Sequence, residues 1–230
     1  MNILDFTSYQ QYQDILYVFK IAQYIYKGVF TTLLYSVLAA VFGLILGTIL
    51  AIFRYSNNKI LLNSVKIYVS VVRGTPFLLQ LFFIYFALPG ILKINIPIFV
   101  AGILALSLNS AAYVAEIIRG GIESVDKGQF ESAKSLSIPY LEMMLNIIIP
   151  QALRSILPSL INEVINLIKE SAVIGIIGIA DLMRRAQIIA AEKYDFVTPL
   201  CIAAIFYYII ICIIAHIGTT VEKKLNDKSN

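Results

Sequence analysis

A chain of 230 residues that is 59% hydrophobic and 14% charged is not a water-soluble globule, because so little polar surface cannot cover that much apolar surface. Its formal charge of +4 fits a Lys/Arg excess in cytoplasmic loops and offers no patch of the kind that binds nucleic acid. A helix needs about 20 apolar residues to cross a bilayer, so the length suits about five crossings in one all-α, polytopic membrane domain.

Residues 1–23 read as an N-terminal segment outside the cytoplasm. Asp5 and Asp14 interrupt it and no basic stretch precedes an apolar core, which argues against a cleavable signal. Phe6, Tyr9, Tyr12, Tyr17 and Phe19 predict a short helix at the membrane surface. The first apolar run, 24–53, carries Gly43 and Gly47 as a G-x-x-x-G pair, which permits close helix approach. The second, 67–88, is interrupted by Arg73-Gly74-Thr75-Pro76, where the missing proline donor predicts a kink or a broken helix. Pro89-Gly90 is expected to close that run as a turn.

The third run is 98–118, and the mixed segment 119–146 after it is too polar to span a membrane. Phe130, Ala133, Leu136 and Ser137 still recur there at helical spacing, and Pro139 ends or bends that piece. The fourth run, 147–180, contains Pro150 and Pro158, and the fifth is 196–220. A basic tail, 222–230, and the Arg54, Lys59 and Lys66 loop place the C-terminus and the 119–146 loop in the cytoplasm, with the N-terminus outside. Arg184, Arg185 and Lys193 then fall on the outer side, against the usual bias.

Ionisable groups within spanning runs mark function by default. Asn162, Asn166 and Lys169 are spaced i, i+4, i+7 in the fourth run, with Glu163 and Glu170 beside them. Asn109, Tyr113 and Glu116 repeat that spacing in the third, near Ser107 and Ser110. One reading is a zwitterion site, in which Lys169 attracts a carboxylate, Glu163 or Glu170 an ammonium, and Asn109 the polar remainder. The other is glue, buried polar groups pairing to hold helices together. Glu116, beside the loop, suits snorkelling to an interface. Cys201, Cys212 and His216 share one apolar run and supply neither metal ligands nor a nucleophile–base pair, and no G-x-x-x-x-G-K-[ST] occurs.

The 119–146 loop is too structured for a plain connector and reads as a docking surface. Its stretch Gly128-Gln129-Phe130-Glu131-Ser132-Ala133-Lys134-Ser135-Leu136-Ser137, with Ile149-Pro150-Gln151-Ala152 beyond, resembles the EAA loop of ABC importer permeases. Ser132 stands for the middle Ala of that pattern and Ser137 for its Gly. Arg73-Gly74-Thr75-Pro76-Phe77-Leu78-Leu79-Gln80, the stretch from Leu106 to Ile122 and Leu167-Ile168-Lys169-Glu170-Ser171 are similar to the polar amino acid permease subfamily. Leu182-Met183-Arg184-Arg185-Ala186-Gln187 resembles glutamine-type members.

The resemblance implies a type I ABC importer permease fold, with a permease domain over 24–221 and a coupling loop over about 119–150. It implies that Gly128, Glu131, Ser132, Ala133, Ser137 and Pro150 serve docking to an ABC ATPase subunit, and that Asn109, Tyr113, Glu163 and Lys169 line a substrate path. It further implies a second permease subunit, an extracytoplasmic amino acid binding protein and a bacterial inner-membrane location. ATP and Mg²⁺ would be used by the partner, with no cofactor bound here and no catalysis by this chain. Glutamine is the first-choice cargo and arginine or another basic amino acid the alternative. An ion-gradient carrier would use Glu163, Lys169 and Glu170 as a proton path but has no need of such a dock.

Overall fold

The computed structural model describes the backbone of residues 3–227 and the side chains of residues 13–224. Among these, every regular element is helical. The α1 helix runs unbroken over Ile3–Arg54, 52 residues. At 1.5 Å per residue it is about 78 Å long, more than twice the hydrocarbon thickness. The separate surface helix expected near the N-terminus is therefore the leading part of the same rod. Tyr17 on it donates to Asp195 Oδ2 at 3.3 Å, while the side chains of Phe6, Tyr9 and Tyr12 lie outside the described residues.

After α1 come α2 (Lys59–Arg73) and α3 (Phe77–Phe82), bent by 109° at the Arg73–Pro76 break. Side chains replace the helical bonds lost there. Thr75 Oγ1 donates to the Val71 carbonyl at 2.9 Å, and Gln80 Nε2 donates to the Val72 and Thr75 carbonyls at 2.7 and 3.1 Å. Pro89-Gly90 does not end the run. A π turn over Phe83–Ala87 precedes α4 (Leu88–Leu92), and the chain leaves the helix at Lys93, whose φ is +54°.

Next come α5 (Ile98–Glu123), α6 (Lys127–Ser135) and α7 (Tyr140–Met143). A second π turn, Met144–Ile148, leads into α8 (Ile149–Ile174), which carries Pro158 in its interior. Both π turns stand two residues before a proline, Pro89 and Pro150. A proline has no N–H for the i−4 carbonyl, and a widened turn accommodates the ring where an α turn would clash. A 3₁₀ turn, Gly175–Ile177, then α9 (Leu182–Lys193) and α10 (Val197–Asp227) complete the chain.

Residues 13–54, α5 and 197–224 are each long and apolar enough to cross a membrane, as is the bent α2–α4 segment taken together. The fourth predicted run is α8, whose charges lower its apolarity and whose 26 residues suffice in length. The described residues thus form an all-α polytopic membrane bundle. Its outward apolar side chains, among them Phe30, Ile52 and Tyr208, at 73%, 64% and 70% exposure, suit lipid as solvent.

Small residues fix how the rods meet. A Cβ on Gly43 would lie 2.7 Å from Ser110 Cβ and one on Gly47 2.6 Å from Val114 Cβ, so the G-x-x-x-G pair of α1 seats α5. Higher up, Gly28 abuts the backbone of Leu182, which would stand 2.6 Å from an added Cβ. Backbone cannot step aside as a side chain can. Gly28→Ala is expected to cost about 2 kcal/mol, seen as a lower unfolding midpoint in detergent; an unchanged midpoint would deny the close approach.

At that same end, fully buried Asp181 caps α9, accepting from Met183 N at 3.3 Å, Arg184 N at 2.9 Å and the Tyr207 hydroxyl at 3.3 Å. Burial pushes its carboxyl up to about 6. Arg185 stacks over Tyr24, 5.1 Å from the ring centroid, and donates to the Ala180 carbonyl. That bonding gives this arginine a structural place at the end opposite α6.

Candidate functional site

The α6 helix is short, rigidly held and half unpartnered. Asp126 caps it by accepting from Gly128 N at 2.7 Å, and a side chain at Gly128 would strike that carboxylate. Its inner face is anchored by Ala133, 2% exposed, which packs with Val125, Met143, Met144, Ile148 and Ala152. Its outer face carries Glu131, Ser132 and Ser135, all exposed, and Leu136 beyond its end is 74% exposed. Glu131 makes no ion pair among the described residues.

The helix is closed by a Schellman motif. Ile138 N donates to the Ala133 carbonyl at 3.0 Å and Ser137 N to the Lys134 carbonyl at 2.9 Å. Ser137 has φ +54°, so the place where the EAA pattern has Gly is the left-handed position that a glycine suits best. A pattern Gly at a helix end is itself the signal for such a left-handed cap. Exposed Pro150 opens α8 directly beneath the loop. The loop is thus stapled to the foot of a membrane-crossing helix.

The polar residues of the bundle divide into three groups. Glu163 points inward, 7% exposed, and accepts from Ser110 Oγ at 2.7 Å. It lines a cavity of about 180 Å³ with Ser110, Ala40, Val41, Leu44 and Leu160. Asn109 does not join it. Its Nδ2 donates to Gln80 Oε1 at 3.0 Å, tying α5 to the α2–α3 break, and its buried Oδ1 has no partner among the described residues. Asn162, Asn166 and Lys169 lie exposed along a different side of α8, with Glu170 half-buried between them and Glu163. The single broad polar face expected from their spacing is therefore split.

Tyr113 belongs to none of the three. Its ring lies under Arg73, 5.5 Å from the guanidinium. Arg73 in turn joins a cluster centred on Glu116, which pairs with Arg54 at 3.0 Å, Arg73 at 3.7 Å and Arg119, while Arg119 also binds Glu123. Glu116 is a hub joining the ends of α1 and α2 to α5, where snorkelling was expected. No group of three or more His, Cys, Asp or Glu among the described residues has the arrangement of a metal site.

Residues 41–221 match the family described as binding-protein-dependent transport system inner membrane component. The chain is 50% identical over 202 residues to a putative glutamine transport system permease protein, GlnP, of Rickettsia conorii (strain ATCC VR-613 / Malish 7), covering 88% of this chain and 93% of that one. It is 46% identical over 207 residues to the arginine transport system permease protein ArtQ of Bacillus subtilis (strain 168), covering 90% and 94%. The crystal structure of an amino acid ABC transporter with histidines superimposes with a TM-score of 0.83 at 37% identity, over 97% of this chain and 99% of the other. The MetNI methionine ABC transporter in an inward-facing conformation shares the fold, with a TM-score of 0.72 at 19% identity over 88% and 96%.

Proposed function

Because this chain belongs to the family of binding-protein-dependent transport system inner membrane components and is an ABC amino acid importer permease, we propose that it admits glutamine to the cytoplasm, driven by ATP hydrolysed in a separate subunit that grips α6. The observation that carries this reading is α6 itself: a capped, Schellman-closed helix whose Ala133 side is anchored and whose Glu131 and Ser132 side is free. A lever must be stiff and must expose a grip, and this one has both. The partner uses ATP and Mg²⁺; the permease binds neither.

In this reading the α6 end faces the cytoplasm of the bacterial inner membrane and the N-terminus lies outside. The ATPase dimer closes on two such loops, one from each of two permease subunits. The foot of α8 follows α6, because Ala133 and Ala152 share one packed cluster. Motion at the loop is thereby delivered to the helix that carries Glu163 and Lys169. An extracytoplasmic binding protein releases the amino acid at the α9 end.

The exposed Asn162, Asn166 and Lys169 row supplies the wet wall of the path, with Lys169 meeting the cargo carboxylate. The relatives named for glutamine support that cargo. A second reading, a basic amino acid, is favoured by Glu163, whose buried carboxylate lines a cavity with no cation beside it among the described residues.

Reconstitution with the ATPase and binding protein, followed by uptake of labelled glutamine and arginine, tests the proposal. ATP-dependent glutamine entry is expected; arginine entry alone would move the assignment to the second reading. Lys169→Ala is expected to lower uptake about tenfold, the worth of one charge-assisted contact, with the complex still assembled. Unchanged uptake would remove Lys169 from the path.

A further inference from the structure

A second recess adjoins the Glu163 cavity, because Leu44 and Leu160 line both. Between α1, α5 and α8, at the end bearing α6, runs an almost wholly apolar groove of about 770 Å³. Thr48, Ile52, Ile118, Leu141, Leu145 and Leu153 are among its walls. Leu153 leaves α8 on the side away from Asn162, Asn166 and Lys169 by helical spacing, so the groove opens away from that row and meets the Glu163 side of the helix.

At its mouth is a polar recess of about 270 Å³ lined by Arg54, Leu62, Lys66, Arg119 and Glu123. Tyr55 lines both spaces, so they adjoin. Three cations face one carboxylate in the recess. Arg54 and Arg119 are already shared with Glu116, and Arg119 with Glu123, whereas Lys66 is exposed and makes no ion pair among the described residues.

We propose that this pair of cavities binds an anionic phospholipid, with the phosphate headgroup against Lys66 in the basic recess and an acyl chain in the groove. Acyl chains are the abundant apolar groups beside a membrane-spanning bundle, and the surplus of positive charge at the mouth of the groove selects a headgroup of opposite sign. Lys66 holds the headgroup beside the root of the α6 loop, so this lipid braces the junction of α1 and α5. The inference does not depend on which amino acid is carried.

The chain has no tryptophan, which makes the test direct. Leu141→Trp, at a groove position 66% exposed, is reconstituted with its ATPase in phosphatidylcholine vesicles. Its fluorescence, taken as the difference from the parent complex, is titrated with brominated phosphatidylglycerol or brominated phosphatidylcholine; Leu145→Trp serves if the first variant does not assemble. Brominated phosphatidylglycerol is expected to quench at about a fivefold lower mole fraction, the preference conferred by one basic residue. Lys66→Glu is expected to abolish that preference, and Lys59→Glu, outside the recess, to leave it. Equal quenching by the two lipids would overturn the proposal. So would no quenching by either, which would mean that protein covers the groove, or an equal effect of Lys59→Glu, which would reduce the preference to general surface charge.

Discussion

Glu131→Lys is expected to cut uptake by at least about tenfold and to abolish stimulation of the ATPase by substrate, while the subunit still inserts and purifies in normal yield. The reasoning separates the two faces of α6. Glu131 is exposed and makes no ion pair within the chain, so reversing its charge costs the fold little. Ala133, on the anchored face, keeps the helix in place. What is lost is the match to a groove in the ATPase, where a reversed charge costs on the order of 2–5 kcal/mol. Uptake and ATPase stimulation are measured on the same reconstituted sample. Normal values for both would show that α6 is not the grip.

Glu116→Ala is expected to have the largest effect on stability, about 3 kcal/mol, or roughly 6–12 °C in unfolding midpoint. The substitution removes the one carboxylate that Arg54, Arg73 and Arg119 share among the described residues and leaves three guanidiniums crowded in a partly buried place. Its side chain is 20% exposed, so solvent relieves only part of that repulsion. Glu116→Gln, which keeps an acceptor and loses the charge, is expected to fall between. A loss below about 1 kcal/mol would class the cluster with ordinary surface pairs.

The spanning helices other than α8 were legible because hydropathy dictates them, and the α1–α5 crossing because Gly43 and Gly47 are spaced for it. The amphipathic pattern around Ala133 likewise marked a helix in the polar loop. Other features depend on three-dimensional neighbours. Pro89-Gly90 reads as a turn by propensity, yet the π turn before it lets the helix continue. The N-terminal aromatics read as a surface helix, yet α1 has no breaker between Ile3 and Arg54. Spacing put Glu163 beside Asn162 and Lys169, which are neighbours in sequence. Only the positions of α1 and α5 reveal that Glu163 turns inward to Ser110 while the others turn out. Glu116 looked like a terminal charge because its partners, Arg54 and Arg73, are distant in sequence.

The most direct measurement is thiol labelling of Ser132→Cys in a chain whose native Cys201 and Cys212, both exposed on α10, are replaced by serine. A membrane-impermeant maleimide is applied to right-side-out and inside-out vesicles, with and without the ATPase bound. Labelling only in inside-out vesicles, blocked when the ATPase is present, is the expected result. Labelling from the outer side, or labelling indifferent to the ATPase, would contradict an α6 lever held by a cytoplasmic motor.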